Sequence, residues 1–485
     1  MKRHFPRGPC GLAVLLAAFL FTTWGYAETA KLELKKIAKP SGGAAIETDN
    51  QFLYRYVYSQ YMGVQGGRSV GQETAPDFTA VVKKEPAKYD SQKPFKGMVK
   101  LGGENYGFVL DTSDLKSKGF EKLYFDRNHN GDLTDDGVIS ADPLPANMES
   151  NLNNVNREFP RMDLTLKADG KEYEYAFFMR VYTYWNPGPS GSDNDSNMQG
   201  TVMFQSAAYR EGDLEIGGKK HHVVLLDYNS DGRFDSQYSI NEPVSKMADR
   251  IMTNYGDMLI LDPDLSNKDF RGYEAIQRKE KQPVSRLVGV DGQFYELKIT
   301  PSGDSMTLTP STVALGSVAN PNPNYSAVVY GDKGFVRING DKNKAVSLPE
   351  GMWTLLEYKI DASDPSAKTS TSGPSQGRKP TTLVVATATK DCKPVKVTQG
   401  KTAEFPFGQP YKPVVTCYPM MTGPGIIGGG GNEANQSAQL NMRLIGVAGE
   451  TCTSLEVNGD RPDAPTFVIS TAGNEIVERG KFEYG

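Results

Sequence analysis

Apolar residues in the first half of this chain alternate with polar residues over short stretches that end at Gly, Pro, Asn or Asp. Residues 164–167 and 172–178 flank an Asp-Gly pair, and residues 214–216 and 221–226 flank a Gly-Gly pair. Alternation with a period of two fits a half-buried strand, and a two-residue turn rich in Gly joins two such strands into a hairpin. The pattern therefore predicts β-hairpins.

The second half of the chain continues this pattern. Its short alternating segments are residues 287–288, 294–299, 335–338, 382–389, 395–398, 414–417, 440–447, 455–457 and 466–469. The spacing of the segments from residue 382 onward is typical of β-sandwiches. The best helix candidate is 241–261, whose apolar positions include Ile251, Met252 and Met258. We predict a mainly β, multi-domain protein with antiparallel sheets, C-terminal β-sandwich modules and few short helices.

The N-terminus has the pattern of a secretory signal peptide, residues 1–27. Three basic residues precede an apolar run over 12–21, and Gly25, Tyr26 and Ala27 form a cleavage site with small residues. No later stretch approaches the ~20 apolar residues of a membrane-spanning helix. We expect a protein without a transmembrane segment after cleavage, secreted or held in the periplasm or at the cell surface.

Length and composition divide the remaining chain. The 458 residues (485 − 27) correspond to about three domains. The predicted units are a β-rich module (28–284), a small β domain (285–360), a linker rich in Ser, Thr, Gly and Pro (361–380), and an immunoglobulin-like or transthyretin-like sandwich (381–485). With the three basic residues of the leader removed, 51 basic residues face 58 acidic ones, a net charge of −7. This balance argues against nucleic acid as a partner.

Two stretches carry oxygen-bearing side chains at alternate positions, followed by Gly at position 6. The first is loop one (residues 126–136), whose candidate ligands are Asp126, Asn128 and Asn130 at positions 1, 3 and 5, the carbonyl of Asp132 at position 7, and then Thr134, Asp135 or Asp136. Calcium takes six to eight oxygen ligands at about 2.3–2.6 Å, so side chains must converge from alternate positions while the backbone turns sharply at the Gly. Loop one is therefore a candidate Ca²⁺ site.

Loop two (residues 227–235) repeats the pattern 101 residues later. Its candidate ligands are Asp227, Asn229 and Asp231 at positions 1, 3 and 5, the carbonyl of Arg233 at position 7, and Asp235 at position 9. By average residue usage, one such match arises by chance in roughly a few hundredths of chains of this length. Two matches in one chain favour metal binding over coincidence.

These loops resemble the calcium loops of the EF-hand superfamily in its broad sense, including dockerin modules and thrombospondin type 3 repeats. They depart from the EF-hand pattern at position 12, where Gly137 and Tyr238 replace the bidentate Glu. The residues before each loop, 121–125 and 221–226, predict strands rather than helices. The resemblance implies calcium binding without helix-loop-helix sensing. The alternative interpretation is that Asn, Asp and Gly simply form tight turns between strands.

A second resemblance lies in the C-terminal half. The segment 348–358, Leu-Pro-Glu-Gly-Met-Trp-Thr-Leu-Leu-Glu-Tyr, is similar to the strand entry of transthyretin-like and carboxypeptidase-regulatory-like sandwich domains, with Trp353 at the aromatic position. The similarity covers about ten residues. It implies a small extracellular sandwich module at this place in the chain.

Candidate catalytic chemistry is sparse. The chain after the leader has three histidines, His129, His221 and His222, and adjacent residues of a strand point to opposite faces. The literal Gly-x-Ser-x-Gly matches at residues 67–71 and 373–377 do not lie between a predicted strand and a predicted helix, as a nucleophile elbow does. No three-histidine zinc pattern occurs. Of the four cysteines, Cys10 lies in the leader, and the other three, Cys392, Cys417 and Cys452, leave the disulfide pairing open.

We therefore predict an exported calcium-binding protein, not an enzyme, in which Ca²⁺ at two loops stabilises a β-rich module. Two alternatives stay open. One is a calcium-dependent protein that binds an extracellular glycan or protein through the polar loops 186–197 and 421–436. The other is a hydrolase that uses two facing carboxylates.

Overall fold

The structure is a computed structural model. It describes residues 27–38, 60–65, 68–70, 77–92, 94–114, 119–144, 154–185, 198–240, 249–263, 281–364, 366, 380–420 and 437–484. Over these ranges the secondary structure is almost entirely strand, with a single four-residue helix, α1 (Phe78–Val81). The sequence-based prediction of a mainly β fold is confirmed.

The strands of the first part of the chain are β1 (Glu28–Lys31), β2 (Glu33–Lys36), β3 (Gln60–Gln65), β4 (Arg68–Val70), β5 (Phe95–Leu101), β6 (Glu104–Asp111), β7 (Lys122–Phe125), β8 (Val138–Ser140), β9 (Asn154–Glu158), β10 (Met162–Ala168), β11 (Lys171–Trp185), β12 (Met198–Ser206), β13 (Ala208–Ile216), β14 (Lys219–Leu226), β15 (Ser239–Ile240), β16 (Thr253–Asn254) and β17 (Met258–Leu261).

The remaining strands are β18 (Lys281–Pro283), β19 (Leu287–Val290), β20 (Gln293–Ile299), β21 (Ser305–Pro310), β22 (Leu315–Ala319), β23 (Tyr325–Gly331), β24 (Gly334–Gly340), β25 (Val346–Pro349), β26 (Gly351–Asp361), β27 (Thr382–Thr387), β28 (Val395–Val397), β29 (Thr402–Glu404), β30 (Lys412–Met420), β31 (Ser437–Ile445), β32 (Thr451–Val457), β33 (Thr466–Ser470) and β34 (Ile476–Lys481).

Four antiparallel sheets enclose the N-terminal core. Their strand orders are β5-β6-β7-β8, β10-β11-β12-β3-β4 with β9 beside β11, β18-β17-β14-β13-β2, and β1-β21-β20-β19. Alternate residues point inward, as the 162–168 pattern of buried and exposed positions in β10 shows. Large aromatic side chains fill the space between the sheets, among them Phe108, Tyr175, Phe177 and Phe204. One shared hydrophobic core therefore holds these sheets together.

The C-terminal part is a sandwich-like pair of sheets. The larger sheet has the order β24-β23-β26-β27-β32-β31-β30, with β28 beside β26, and the smaller one has the order β25-β22-β29. A second core lies between them and contains Val318, Leu348, Trp353 and Tyr358. Trp353 is fully buried, and its indole N–H donates to the carbonyl of Pro349 at 2.7 Å. The predicted sandwich layout is confirmed.

Strand pairing crosses the predicted domain boundaries. β1 pairs with β21, and β26 pairs with β27 on the far side of the predicted linker. The division of the chain at 284/285 and at 361–380 stays a prediction, whereas the sheets themselves join residues from both sides of each boundary. Long-range pairing of this kind depends on the burial of shared faces, which no local pattern encodes.

The hairpin predictions are confirmed, and the helix prediction is wrong where it can be compared. β10 and β11 pair across Asp169 and Gly170, and β13 and β14 pair across Gly217 and Gly218. By contrast, the described part of the predicted helix, residues 249–261, is extended and contributes β16 and β17. The apolar residues of β17 are buried by pairing with β14, and this tertiary burial overrides the helical spacing.

Several predictions lie outside the described residues. These are the leader over residues 1–26, the polar loops 186–197 and 421–436, and most of the predicted linker. Among the residues that are described, no helix has both the length and the apolar character needed to cross a membrane. Cys392, Cys417 and Cys452 are all free thiols, so none of the three candidate disulfides is formed.

Candidate metal centre

Loop one and loop two each begin where a central strand ends. β7 ends at Phe125 and β14 ends at Leu226, and both residues are buried. The prediction that a strand precedes each loop is therefore confirmed. Because the strand ends are anchored in the core, the position-1 carboxylates that follow them, Asp126 and Asp227, are also 0% exposed.

The two loops have the same backbone conformation. Position 4 is in the left-handed region in both loops, with φ of 56° at His129 and 58° at Ser230. Position 6 follows with φ of 81° in both, at Gly131 and Gly232. Residues other than Gly rarely adopt this conformation unless local hydrogen bonds fix it. The shared values therefore indicate that a shared set of hydrogen bonds shapes both loops.

That set of hydrogen bonds is the same position by position. The position-1 carboxylate accepts the backbone N–H groups of positions 5 and 6, at 3.0 and 2.9 Å in loop one and at 3.1 and 2.9 Å in loop two. The position-3 amide oxygen accepts the N–H of position 5, at 3.1 and 3.2 Å. The position-5 side chain accepts the N–H of position 7, at 2.7 and 2.8 Å. Short Asp and Asn side chains make such local bonds readily, which explains why the sequence pattern predicts the fold of each loop.

The glycines at position 6 are required for steric as well as conformational reasons. A Cβ added at Gly232 would lie 2.7 Å from the Leu166 side chain and 2.8 Å from the Gly102 nitrogen. At Gly131 it would lie 2.9 Å from the carbonyl oxygen of Val81. No larger residue fits at either position without displacing its neighbours.

In loop one, four of the predicted ligands come together. The amides of Asn128 and Asn130 both donate to the same oxygen of Asp135, at 3.3 and 2.7 Å, and Asp126 holds the backbone beneath them. Positions 1, 3, 5 and 10 therefore converge, and their amide and carboxylate oxygens are the hard donors that calcium prefers.

The two other carboxylates of loop one have different partners. Asp132 accepts from the Lys84 ammonium at 2.6 Å, and this hydrogen bond lowers the pKa of its carboxyl to about 2. Asp136 accepts the backbone N–H of Arg127 at 2.9 Å and lies 3.6 Å from that residue's guanidinium. Of these two residues, only Asp132 offers a candidate ligand, and that ligand is its main-chain carbonyl, as predicted. The side chain of Asp136 instead closes the loop by its hydrogen bond to Arg127.

In loop two, the side chains that come together are less exposed than those of loop one. Asp227 accepts from the Tyr175 hydroxyl at 2.6 Å in addition to its two backbone bonds. Asp231 accepts from the Asn229 amide at 3.0 Å and from the Ser236 hydroxyl at 2.7 Å. The other predicted ligand side chain, Asp235, pairs instead with the guanidinium of Arg233 at 2.8 Å. Loop two thus brings together positions 1, 3 and 5 and directs position 9 to Arg233.

A further carboxylate beside loop two, Asp257, was not predicted from the sequence. Asp257 is 0% exposed and accepts the N–H groups of Tyr228 at 3.1 Å and Ser236 at 2.7 Å. It lies within the stretch predicted as a helix, and only the extended chain brings it to the loop. The available signal was an acidic residue directly after Gly256 and directly before the apolar run 258–261.

The electrostatics of loop two follow from this arrangement. Burial raises the pKa of Asp227 well above its ordinary value, and the charge of Asp231 raises it further. Burial, followed by the charges of Asp227 and Asp231, raises the pKa of Asp257 in the same way. A cation at this place would favour the ionised form of both groups.

The three histidines have partners other than the candidate ligands. His129 stacks on Tyr106 with ring centroids 4.5 Å apart, buried His221 contacts Asp262 at 2.8 Å, and His222 on the opposite strand face contacts Asp213 at 3.1 Å. Within the described ranges, no three His, Cys, Asp or Glu side chains form a group that could hold a metal ion by themselves. A metal site at either loop would therefore need amide and main-chain oxygens in its donor set.

A polar groove of about 600 Å³ lies beside loop one. Arg127, Asn128 and Asp136 line it from the loop, and charged residues of β10 and β11 line it from the other side. Lys36 bridges this second side, with its ammonium 2.9 Å from Glu174 and 3.7 Å from Asp163. The groove is a mixed-charge surface whose shape depends on the conformation of loop one.

Comparisons with protein-family models, with curated proteins and with solved structures find no match to this chain.

Proposed function

We propose that this protein binds calcium at loop one and loop two, and that the bound ions stabilise the β-rich region around them. The observation that supports the proposal is that the two loops have the same local structure. Segments 101 residues apart share their hydrogen bonds, their two left-handed positions and their buried position-1 carboxylate. Simple turns need only a few of these features, whereas converging oxygen donors at positions 1, 3 and 5 fit a hard cation.

The donor sets suit calcium. Loop one offers the side chains of Asp126, Asn128, Asn130 and Asp135 and the carbonyl of Asp132. Loop two offers the side chains of Asp227, Asn229 and Asp231 and the carbonyl of Arg233. All of these donors are oxygens, and with water they make up the irregular six- to eight-fold shell that Ca²⁺ accepts and Mg²⁺ does not.

Bound Ca²⁺ would supply the positive charge that the carboxylates at these loops need. The chain's own residues then hold each loop in shape: position 1 fixes the backbone of positions 5 and 6, and position 3 fixes position 5. A ligand that binds only the folded state stabilises it by about 2.7 kcal/mol when present at 100 times its dissociation constant. Export through the signal peptide would bring the chain to calcium at roughly millimolar concentration, the range of extracellular calcium modules.

Calorimetric titration of Ca²⁺ into the chelator-stripped full chain tests the proposal, with a thermal melt at each end point and Mg²⁺ as the competing ion. We expect two bound calcium ions and a higher melting temperature. The double variant Asn128→Ala/Asn229→Ala should lose most of the binding, whereas Asn441→Ala, an exposed residue of β31, should keep it. Absence of binding heat together with an unchanged melting temperature would reduce both loops to Asx and Gly turns.

A further inference from the structure

The backbone N–H of position 2 has a carboxylate acceptor in both loops, but the acceptor comes from a different part of the chain in each. In loop one, the N–H of Arg127 at position 2 donates to Asp136, which belongs to the same loop, at 2.9 Å. In loop two, the N–H of Tyr228 at position 2 donates to Asp257, 29 residues further along the chain, at 3.1 Å. A carboxylate therefore occupies the same place in both loops, but loop two receives it from a different segment.

Asp257 holds both ends of loop two. Its second carboxylate oxygen accepts the N–H of Ser236 at 2.7 Å, and its own backbone N–H donates to the carbonyl of Ser236 at 2.7 Å. Its carbonyl accepts the N–H of Val284 at 2.8 Å. Gly256 permits this approach, since a Cβ there would lie 2.3 Å from the Ser236 oxygen. The segment 253–261 is thus fitted closely against the end of the loop.

The charge balance also differs between the loops. The carboxylates of Asp132 and Asp136 in loop one have Lys84 and Arg127 as partners. In loop two, the charges that act most strongly on Asp257 are those of Asp227 and Asp231, and both are negative. Arg233, the basic residue of loop two, is paired with Asp235. Docking of Asp257 therefore brings a buried negative charge next to two others.

We propose that Asp257 is a positioning residue that couples calcium binding at loop two to the docking of residues 253–261. This inference rests on the proposed function. Without calcium, repulsion from Asp227 and Asp231 weakens the docking of the segment. With calcium, the ion offsets the three charges, so Asp257 closes the loop and β16 and β17 are held against it. Loop one needs no such segment, because Asp136 lies within it.

The test is Asp257→Asn in the full chain, compared with Asp249→Asn, an exposed carboxylate four residues before that segment that pairs with Arg443. Asn keeps an oxygen that can accept a hydrogen bond but removes the charge. The Asn amide leaves one of the two backbone N–H groups at Asp257 without its acceptor, so some stability is lost in both conditions. In chelator, we expect the melting temperature of Asp257→Asn to fall by less than it falls in calcium, because removing the charge also removes the repulsion. In calcium, we expect one site to bind at least tenfold more weakly and the calcium-dependent rise in melting temperature to shrink. Asp249→Asn should leave both properties unchanged.

Hydrogen exchange on the wild-type protein gives an independent readout that needs no variant. Calcium should slow exchange in residues 253–261, and unchanged exchange there would overturn the inference. An equal loss of stability in chelator and in calcium for Asp257→Asn would also overturn it, since that result describes a purely structural residue. If the wild type binds two ions and Asp257→Asn binds both with unaltered affinity, only the inference fails. If the wild type binds none, the proposed function fails as well.

Discussion

Loop one and loop two have the same conformation but lie in different surroundings. Loop one packs against the segment after α1 and against β6. The carbonyl of Gly131 accepts the N–H groups of Lys83 and Lys84 at 2.8 and 3.0 Å, Leu133 donates to the carbonyl of Lys84 at 3.0 Å, and Asp126 donates to the carbonyl of Gly107 at 3.1 Å. It therefore lies at the rim of the N-terminal region, next to α1. The conformation of this loop is set largely by its own residues, because the hydrogen bonds that positions 1, 3 and 5 accept all come from within it.

Loop two, by contrast, connects several sheets. The carbonyl of Asp231 accepts the N–H of Gly102 in the turn between β5 and β6 at 2.8 Å, and Phe234 donates to Pro301 after β20 at 3.0 Å. The carbonyl of Gly232 accepts from the hydroxyl of Tyr173 in β11 at 2.8 Å. With Asp257 before β17, the loop joins strands of four sheets. The comparison teaches that one local motif serves as a peripheral turn in one place and as a structural centre in another.

The largest expected effect is the loss of stability when the position-1 carboxylate is replaced, and it differs between the two loops. Asp227→Ala leaves the N–H of Gly232 and the Tyr175 hydroxyl buried without their acceptor, while the N–H of Asp231 keeps the Asn229 oxygen. Each group left without an acceptor costs about 1–3 kcal/mol. We expect a loss of about 3–5 kcal/mol in the free energy of unfolding in calcium and a smaller loss in chelator. Asp126→Ala leaves one donor, the N–H of Gly131, without its acceptor, because the N–H of Asn130 keeps the Asn128 oxygen, and it should lose about 1–3 kcal/mol. Urea unfolding measures both, and equal losses would show that the surroundings do not matter.

A smaller effect is expected for Gly256→Ala. The added Cβ would lie 2.3 Å from the Ser236 oxygen and displace the segment that carries Asp257, at a cost of about 1–3 kcal/mol. Calcium affinity should fall at loop two and stay unchanged at loop one. Calorimetry with Asp126→Ala as the background isolates loop two. An unaltered affinity of loop two in Gly256→Ala would mean that the segment is not coupled to the site.

The smallest effect on stability is expected for two substitutions in loop one, which distinguish a side-chain ligand from a main-chain ligand. Asp135→Ala removes the carboxylate on which Asn128 and Asn130 converge and should abolish one calcium site with little change in stability in chelator. Asp132→Ala should keep two calcium sites, because only its main-chain carbonyl is a candidate ligand and its carboxylate pairs with exposed Lys84. Calcium stoichiometry by calorimetry decides, and loss of a site in Asp132→Ala would contradict the donor set.

The sequence determines the shape of each loop because all the contacts that shape it are local. The acceptors at positions 1, 3 and 5 lie within five residues of the N–H groups that they bind, and Gly supplies the second left-handed residue. The hairpins at Asp169-Gly170 and Gly217-Gly218 could be predicted from the sequence for the same reason, because a two-residue turn fixes the register of its own strands. The β class follows from the alternation of apolar and polar residues that these strands share.

Only the tertiary structure decided which loop would be buried and what would complete it. Asp257 reaches Tyr228 because β17 pairs with β14, and the spacing of Ile251, Met252 and Met258 predicted a helix instead. Met252 is exposed and Met258 is buried against the N-terminal core, so the two residues do not share one apolar face. Likewise, no local signal pairs β1 with β21, some 280 residues apart. Contacts between residues so distant in the chain depend on which faces the whole fold buries, and a local pattern carries no information about that choice.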